Sequence, residues 1–361
     1  MTIDRRALLG AGALTALGAC ATAQSSPGAA TTRPRVIDVH THMFTTGYVE
    51  ALRASDDPLV SIAPPDANER YEGIRYKGDV ILRLSPTMLD WDLRIAGMDR
   101  GGVDIGIISL TAPNVYWGSR AISRRSAEAI NAGYAEAQQQ HPTRIRWFAS
   151  LPWDYPEDAI AVLRQAKTMG ATGVCTLTNI RGRPLTHEDY RPIWREIEAM
   201  EMPVFVHPTS PRNPEDLEGY NLGNTVGMTN ETSLCFARMM LSGFLDAFPR
   251  LELVAAHGGG TLPYIIGRLD QRWRQDRAVR TPSSQQIPSA YLRRLWFDAL
   301  VYDEATMRFF VEQVGADRII YGSDFPFRIG DMEGVIARAS ALPAAQRDAI
   351  LNGNAARLFK L

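Results

Sequence analysis

The chain has 361 residues, of which 45% are hydrophobic and 22% are charged, a composition that can fill a large globular core. Its 39 basic residues balance 40 acidic residues, so the formal net charge is -1. This balance argues against a dedicated nucleic-acid-binding protein, which would carry a basic excess.

The first residues predict an export signal of the twin-arginine type. Arg5 and Arg6 precede an apolar run that is too short to span a bilayer as a mature helix. Small residues end the run, and Cys20 follows them as in a bacterial lipobox, which would make Cys20 a lipid anchor. Simple cleavage after Ala23 is the alternative. We therefore expect residues 1–23 to direct export to the periplasm, with membrane attachment only through a lipid on Cys20.

Residues 24–34 predict a linker, because they are rich in small residues and proline. The folded domain is therefore expected over residues 35–361. Its two cysteines, Cys175 and Cys235, fall in a predicted strand and a predicted helix. We expect buried free thiols there, and a disulfide in an oxidising compartment is the alternative.

Eight apolar runs predict the strands of a parallel sheet, since buried parallel strands read as continuous apolar segments. They are residues 36–40, 103–110, 145–151, 171–177, 202–207, 251–257, 295–301 and 318–324. Amphipathic runs predict helices over residues 126–140, 156–170, 188–200, 231–248 and 304–315. This alternation predicts an α/β fold, a (β/α)8 TIM barrel, with a long polar insertion over residues 45–86 after the first strand.

Candidate functional residues lie at the predicted strand ends, where barrel enzymes hold their active sites. His40 and His42 are two residues apart on the first strand, so their side chains share one face. His207 and His257 end the fifth and sixth strands, and Asp324 ends the eighth. These five side chains are expected to meet at one end of the barrel.

Four of these five side chains are predicted to bind a metal ion. A single strand-end histidine is more often a hydrogen-bonded polar residue, but two buried imidazoles on one face need a shared partner. Imidazole nitrogen and carboxylate oxygen are ligands of a divalent ion such as zinc. The predicted ligands are His40, His42, His207 and Asp324. His257 is the candidate general acid/base, with a fifth-ligand role as the alternative.

Two features beside these residues leave alternatives open. Asp298 on the seventh strand is a candidate residue of the substrate site, either as a group that orients the residues in contact with the metal or substrate or as a structural hydrogen-bond acceptor. Three glycines at 258–260 either offer backbone amides to an anion or allow close packing at a tight turn.

The order of these residues resembles the amidohydrolase superfamily, in particular the branch typified by aminocarboxymuconate semialdehyde decarboxylase. The matching runs include VIDVHTHMF, PVFVHP, VAAHGGGTLPYIIGRLD and IIYGSDFPFRIGD, and the resemblance covers residues 36–359. Binuclear members of the superfamily carry a lysine on the fourth strand, which residues 171–177 lack. The resemblance therefore implies a mononuclear site.

The resemblance also implies residues that hold the substrate. In that branch an arginine eleven residues after the sixth-strand histidine binds a substrate carboxylate, and in the family dimer it can reach the neighbouring subunit. The corresponding residue is Arg268, for which a helix-surface ion pair is the alternative. The branch has a second arginine where this chain has Ser85, with Arg83 close by as the candidate. A homodimer is expected on the same grounds.

The expected function is metal-dependent decarboxylation of a small unsaturated or aromatic carboxylic acid, with His257 and Asp324 as catalytic residues. The alternative is hydrolysis of an ester, lactone or amide carbonyl at the same site, which the absence of an arginine at Ser85 favours. A binding lipoprotein without catalysis is a third hypothesis, but such a protein has little use for an acid/base beside the ligands.

Overall fold

The computed structural model describes residues 34–67, 69–209, 211, 214–276, 279 and 284–361. The predicted export signal and Cys20 lie outside these residues and stay predictions. In the described part of the chain, no helix has the length and apolarity that a membrane span requires.

Eight parallel strands form a nearly closed barrel, which confirms the predicted fold. The described strands are β1 (Ile37–His42), β2 (Val60–Ala63), β3 (Gly73–Tyr76), β4 (Asp79–Arg83), β5 (Ile105–Ser109), β6 (Ile145–Ala149), β7 (Gly173–Leu177), β8 (Asn179–Ile180), β9 (Arg183–Pro184), β10 (Val204–His207), β11 (Leu253–Ala255), β12 (Trp296–Asp298) and β13 (Ile319–Ile320). The barrel order is β1-β5-β6-β7-β10-β11-β12-β13.

Helices surround the barrel. They are α1 (Thr46–Arg53), α2 (Trp91–Arg100), α3 (Arg120–Gln140), α4 (Pro156–Thr168), α5 (Arg191–Ala199), α6 (Met228–Leu241), α7 (Phe244–Ala247), α8 (Leu262–Gln275), α9 (Pro288–Leu292), α10 (Glu304–Val314), α11 (Met332–Ser340), α12 (Ala344–Asp348) and α13 (Asn354–Phe359). The helix expected over residues 231–248 is interrupted after α6, because Gly243 has a φ of 76°, outside the helical range.

The insertion after β1 is folded rather than a plain loop. It contains α1 and an antiparallel sheet of β2, β3 and β4. Ile74, Tyr76 and Leu82 are buried while Arg75 is exposed, so one face of this small sheet packs on the domain. Lys77 and Gly78 turn the β3–β4 hairpin with positive φ values of 53° and 98°. Strands this short carry too little periodicity to be recognised from sequence.

The barrel is filled by apolar side chains from alternate strand positions. Ile37, Val39, Phe148 and Phe205 belong to one buried cluster that also includes Phe359 of α13. The rings of Phe148 and Phe359 lie 5.4 Å apart, so α13 packs against the barrel interior. Cys175 is buried within this cluster and Cys235 on α6, and neither forms a disulfide among the described residues, as expected.

The last strand is shorter than predicted, and its continuation bends toward β1. The chain leaves the ladder after Ile320, and the amides of Ser323 and Asp324 both donate to the carbonyl oxygen of His40, at 3.2 and 2.7 Å. The amide of Val39 donates to the carbonyl of Tyr321 at 3.1 Å, which brings β1 beside the final barrel segment. Asp324 is thereby placed against the two histidines of β1.

Gly322 has no side chain and so allows the segment after β13 to lie close to β1. Substitution of Gly322 by alanine, which adds a methyl group, tests this close approach. A Cβ at position 322 would lie 2.7 Å from the Cβ of His40 and 3.0 Å from that of Asp298. We expect Gly322→Ala to lower the free energy of unfolding by about 1–3 kcal/mol through overpacking. Gly267→Ala is the control, since Gly267 lies in α8 with no atom near the added Cβ, and it should stabilise by up to about 1 kcal/mol. Thermal unfolding of both variants measures this, and a Gly322→Ala protein as stable as wild type would contradict the close approach.

Candidate metal centre

Three buried imidazoles each bind an oxygen through Nδ1. His40 Nδ1 lies 2.6 Å from Asp298 Oδ2, and His207 Nδ1 lies 2.7 Å from the carbonyl oxygen of Pro208. These oxygens only accept, so Nδ1 is the donor in both rings. His42 Nδ1 lies 3.1 Å from Ser109 Oγ, whose own proton goes to the carbonyl of Thr41. In its neutral form each of the three rings would therefore keep a lone pair on Nε2, as metal-ligating histidines do.

The Nε2 atoms of His40 and His42 converge on Asp324, and His207 lies close to all three residues. His40 Nε2 and His42 Nε2 lie 3.3 and 3.2 Å from Asp324 Oδ1. One candidate ligand atom from each histidine and from Asp324 lies within 4.8 Å of all the others. His40 Nε2, His42 Nε2 and Asp324 Oδ1 are buried without a hydrogen-bond partner among the described residues.

This arrangement fits a single divalent ion. Lone pairs that face a carboxylate oxygen at 3.2–3.3 Å repel one another unless a proton or a cation lies between them. Three nitrogens and one oxygen are ligands that such an ion accepts. The structure therefore brings the four predicted ligands together as a candidate metal site, on the barrel end opposite α13.

The charges of the metal-free site follow from burial and proximity. Burial lowers the pKa of His40, but Asp324 and Asp298 outweigh it and raise this pKa to about 10. Burial, with the charge on His40, lowers the pKa of His42 to about 4, and burial beside the other imidazoles keeps the pKa of His207 well below its usual value. Burial would raise the pKa of Asp324, but the histidines hold it well below its usual range. One proton, on His40, thus balances the ionised Asp324.

His257 lies beside this group rather than within it. It follows β11, with a positive φ of 55°, and its Nε2 is 3.7 Å from Asp324 Oδ2, the carboxylate oxygen that does not face the other histidines. Its ring centroid is 4.9 Å from that of His40 and 5.5 Å from that of His207. This position, adjacent to the four-ligand group, favours the acid/base role over a fifth ligand.

Asp298 anchors both the ligands and His257. Its Oδ2 accepts from His40 Nδ1 and from the backbone amide of His257 at 2.7 Å, and its Oδ1 accepts from the amides of Gly258 and Leu300 at 2.8 and 3.1 Å. Burial would raise the pKa of Asp298, but the hydrogen bond and the charge of His40 lower it. Asp298 is fully buried and does not line the cavity at the site, so its contacts favour an orienting role over substrate contact.

The glycines at 258–260 serve packing. Their amides donate to Asp298, to the carbonyl of Ala256 and to the carbonyl of His257, so none is left for an anion. A Cβ on Gly260 would lie 2.1 Å from the carbonyl oxygen of Thr229. Of the two alternatives, the structure supports the tight turn.

A cavity of about 530 Å³ opens over the metal site. His207, His257 and Asp324 form part of its wall. The other walls come from β4, from the loop at 217–224 and from Phe327, with the 96% exposed ring of Tyr220 at its rim. The sequence carries no signal for these residues, because loop positions without periodicity show their spatial neighbours only after folding.

The two predicted substrate arginines lie away from this cavity. Arg83 pairs with Asp66 and donates to the carbonyls of Pro64 and Tyr71, each at 3.2 Å. It lines an adjoining cavity that shares walls, Leu82 and Phe327 among them, with the metal cavity. Arg268 is exposed on α8, and no described residue forms an ion pair with it. The alternative interpretation of Arg268, an ion pair on the helix surface, is therefore not seen among the described residues. Contact between Arg268 and the substrate stays a prediction.

Comparison with known proteins decides the family. The sequence profile of the Amidohydrolase family matches residues 37–361. The chain belongs to the amidohydrolase family. This membership confirms the resemblance drawn from the histidine pattern and makes the chain an enzyme of that superfamily.

Its relatives include several decarboxylases. The amidohydrolase chain is 32% identical to gamma-resorcylate decarboxylase of Rhizobium radiobacter over 307 residues, 79% of this chain and 91% of the relative. It is 29% identical to 2-amino-3-carboxymuconate-6-semialdehyde decarboxylase of Dictyostelium discoideum over 289 residues, 79% of this chain and 80% of the relative. A crystal structure of dihydroxybenzoic acid decarboxylase from Polaromonas sp. JS666, with bound manganese and 2-nitroresorcinol, superposes with a TM-score of 0.74 and 26% identity, covering 91% and 97% of the two chains.

Metal binding should release a proton. His40 has a raised pKa of about 10, so it is protonated near neutral pH in the metal-free protein, and a metal ligand must be deprotonated. Since the proton leaves as the ion enters, affinity should rise with pH, by about tenfold per unit between pH 6 and 7. Titration calorimetry in two buffers of different ionisation enthalpy measures the protons released, with about one expected per ion. An affinity that does not change with pH, without proton release, would contradict this charge state.

Proposed function

We propose that this enzyme is a metal-dependent decarboxylase of small aromatic carboxylic acids. The observation that carries the proposal is the group of His40, His42, His207 and Asp324, with His257 beside it, at the base of a cavity of about 530 Å³. That volume accommodates a substituted single ring. Relatives of the chain support this reaction, among them decarboxylases of gamma-resorcylate and of 2-amino-3-carboxymuconate-6-semialdehyde.

The ion is proposed to be a single divalent metal, with zinc suggested by the three imidazoles. Manganese in the Polaromonas relative supports a second candidate with the same charge. An ion held here would act as a Lewis acid for the substrate's oxygens. Elemental analysis of the purified protein, with zinc and manganese resupplied separately after chelation, distinguishes the two.

His257 is proposed to supply the proton that replaces carbon dioxide. Decarboxylation breaks one carbon–carbon bond, and the electron pair stays on the ring carbon, which takes up a proton. His257 Nε2 lies at the cavity wall, where an imidazolium can donate to that carbon and be reprotonated from solvent. Asp324 Oδ2 faces this nitrogen at 3.7 Å.

Hydrolysis is the second candidate, and one observation favours it. Among the described residues that line the metal cavity, none is a lysine or an arginine. A carboxylate substrate would therefore rely on the metal or on a cation that reaches the cavity from beyond its walls, whereas an ester or lactone needs no such counter-charge. The same site would then use His257 to protonate the leaving group.

A second copy of the chain is proposed to provide the missing cation. Arg268 is exposed on α8, and Tyr264, one turn earlier on the same helix, is 82% exposed. The ring of Tyr264 lies 6.4 Å from that of Phe309 on α10, so an aromatic surface borders Arg268. Burial of this surface in a homodimer would bring Arg268 toward the partner's cavity, as the family resemblance implies.

Substrate turnover tests the proposal. Carbon dioxide release from a series of hydroxybenzoic acids should require the metal and should be abolished by a chelator. His257→Gln should lower kcat by about 10²- to 10⁴-fold while metal content stays unchanged. His187→Gln is the matched control, because His187 is partly exposed at the start of a short 3-10 helix and does not line the cavity.

Three outcomes would contradict parts of this account. Hydrolysis of esters or lactones with no carbon dioxide from any acid would replace decarboxylation by the second candidate. Wild-type turnover by His257→Gln would remove the acid/base role. Full activity of a protein freed of metal would reject the metal-dependent function altogether.

A further inference from the structure

Arg94, on α2, is a fully buried arginine behind the metal site. Its Nη1 donates to Thr41 Oγ1 at 2.6 Å and lies 3.5 Å from the carbonyl oxygen of Phe325, and its Nη2 donates to the carbonyl of His42. Its Nε donates to Met43 Sδ at 3.4 Å, and its guanidinium carbon lies 4.5 Å from the centre of the Phe325 ring. Every one of these acceptors is neutral.

Such an environment is unfavourable for a cation, so the presence of a charged side chain at position 94 calls for an explanation. No carboxylate among the described residues forms an ion pair with Arg94, and the buried Asp38 attracts it only from a distance. Burial lowers the pKa of Arg94 to about 9, which leaves the guanidinium charged near neutral pH. A buried charge without an ion-pair partner destabilises a protein relative to an apolar side chain of similar size.

The contacts of Arg94 join the two segments that carry three of the four ligands. Thr41 and His42 belong to β1 together with His40, while Phe325 directly follows Asp324. Backbone hydrogen bonds already join these segments: the amide of Asp324 donates to the carbonyl of His40 at 2.7 Å, and the amide of His42 donates to the carbonyl of Phe325 at 2.8 Å. Arg94 adds side-chain donors to the carbonyls of His42 and Phe325, beside these bonds. A planar guanidinium can bind both segments at once, because its donors point in fixed, diverging directions.

We propose that Arg94 is a positioning residue of the metal centre. Its guanidinium holds the backbone of His42 and Phe325 at a fixed separation, so that the imidazoles of β1 and the carboxylate of Asp324 converge on one ion. The inference rests on the metal site of the proposed function but not on which reaction the site performs.

The direction in which metal affinity changes when Arg94 is replaced distinguishes a positioning role from an electrostatic role. A cation behind the site repels a divalent ion, so an electrostatic role alone predicts that removal of the charge tightens metal binding. A positioning role predicts the reverse, since ligands that no longer converge bind the ion more weakly. A role in stability alone predicts equal loss of stability with and without metal and no change in affinity.

The experiment measures the Kd for Zn²⁺ and for Mn²⁺ on the full chain, by competition with a chromophoric chelator after metal removal. Arg94→Met removes the charge and the donors but keeps the approximate volume, and Arg94→Lys keeps the charge without the planar fork. Both should weaken binding by about 10- to 100-fold, the effect typical of groups that orient metal ligands. The visible spectrum of bound Co²⁺ should also change, because it reports ligand geometry.

Arg144→Met is the matched control. Arg144 also donates to backbone carbonyls, those of Asp104 and Val103 at 2.7 and 3.0 Å, but these precede β5, at the end of the barrel away from the ligands. Its Kd should stay within about twofold of wild type, below the effect expected for groups that orient metal ligands.

The outcomes are distinguishable. Unchanged or tighter metal binding by a folded Arg94→Met protein would overturn the inference, and if that variant fails to fold, a wild-type Kd and Co²⁺ spectrum for Arg94→Lys would overturn it. Absence of metal binding by the wild-type chain would instead reject the proposed function, on which the inference depends.

Discussion

The hydrogen bond between Asp298 and His40, 2.6 Å long, is the interaction on which the site depends. It fixes the proton on Nδ1 and directs Nε2 toward Asp324. The same carboxylate accepts from the backbone amides of His257 and Gly258, so one buried anion on β12 orients the candidate ligand His40 and positions His257, the proposed acid/base. Ser109 Oγ and the carbonyl of Pro208 accept from Nδ1 of His42 and His207, and so fix the proton on Nδ1 of these two rings as Asp298 does for His40.

Closure of the barrel is the second constraint. His40 and Asp324 lie 284 positions apart in the chain, and they meet because the segment after β13 bends against β1. Asp38 assists this bend through hydrogen bonds to the hydroxyl and the amide of Ser323, and Gly322 leaves room for it. Burial raises the pKa of Asp38 to about 7, against the opposing effect of these hydrogen bonds. The site is therefore a product of the closed fold, and no single segment could form it.

The strands and the four ligands were predictable because both follow from local pattern. Buried parallel strands are continuous apolar runs. Polar residues at their carboxyl ends lie on one rim of the barrel, independently of the loop conformations. The sheet of β2–β4, the loop at 217–224 and the position of Arg83 were not predictable, since each depends on packing between distant segments. Arg94 was equally hidden, because nothing in an amphipathic helix identifies a buried arginine before its partners are known. The interruption after α6 could have been recognised at Gly243.

The most direct test is a crystal structure of the protein with manganese, using anomalous scattering to locate the ion. We expect one ion bound by Nε2 of His40, His42 and His207 and by Oδ1 of Asp324, with the Nδ1 bonds to Asp298, Ser109 and Pro208 kept. An ion bound elsewhere, or ligated through Nδ1 after the Asp298–His40 bond has broken, would contradict it.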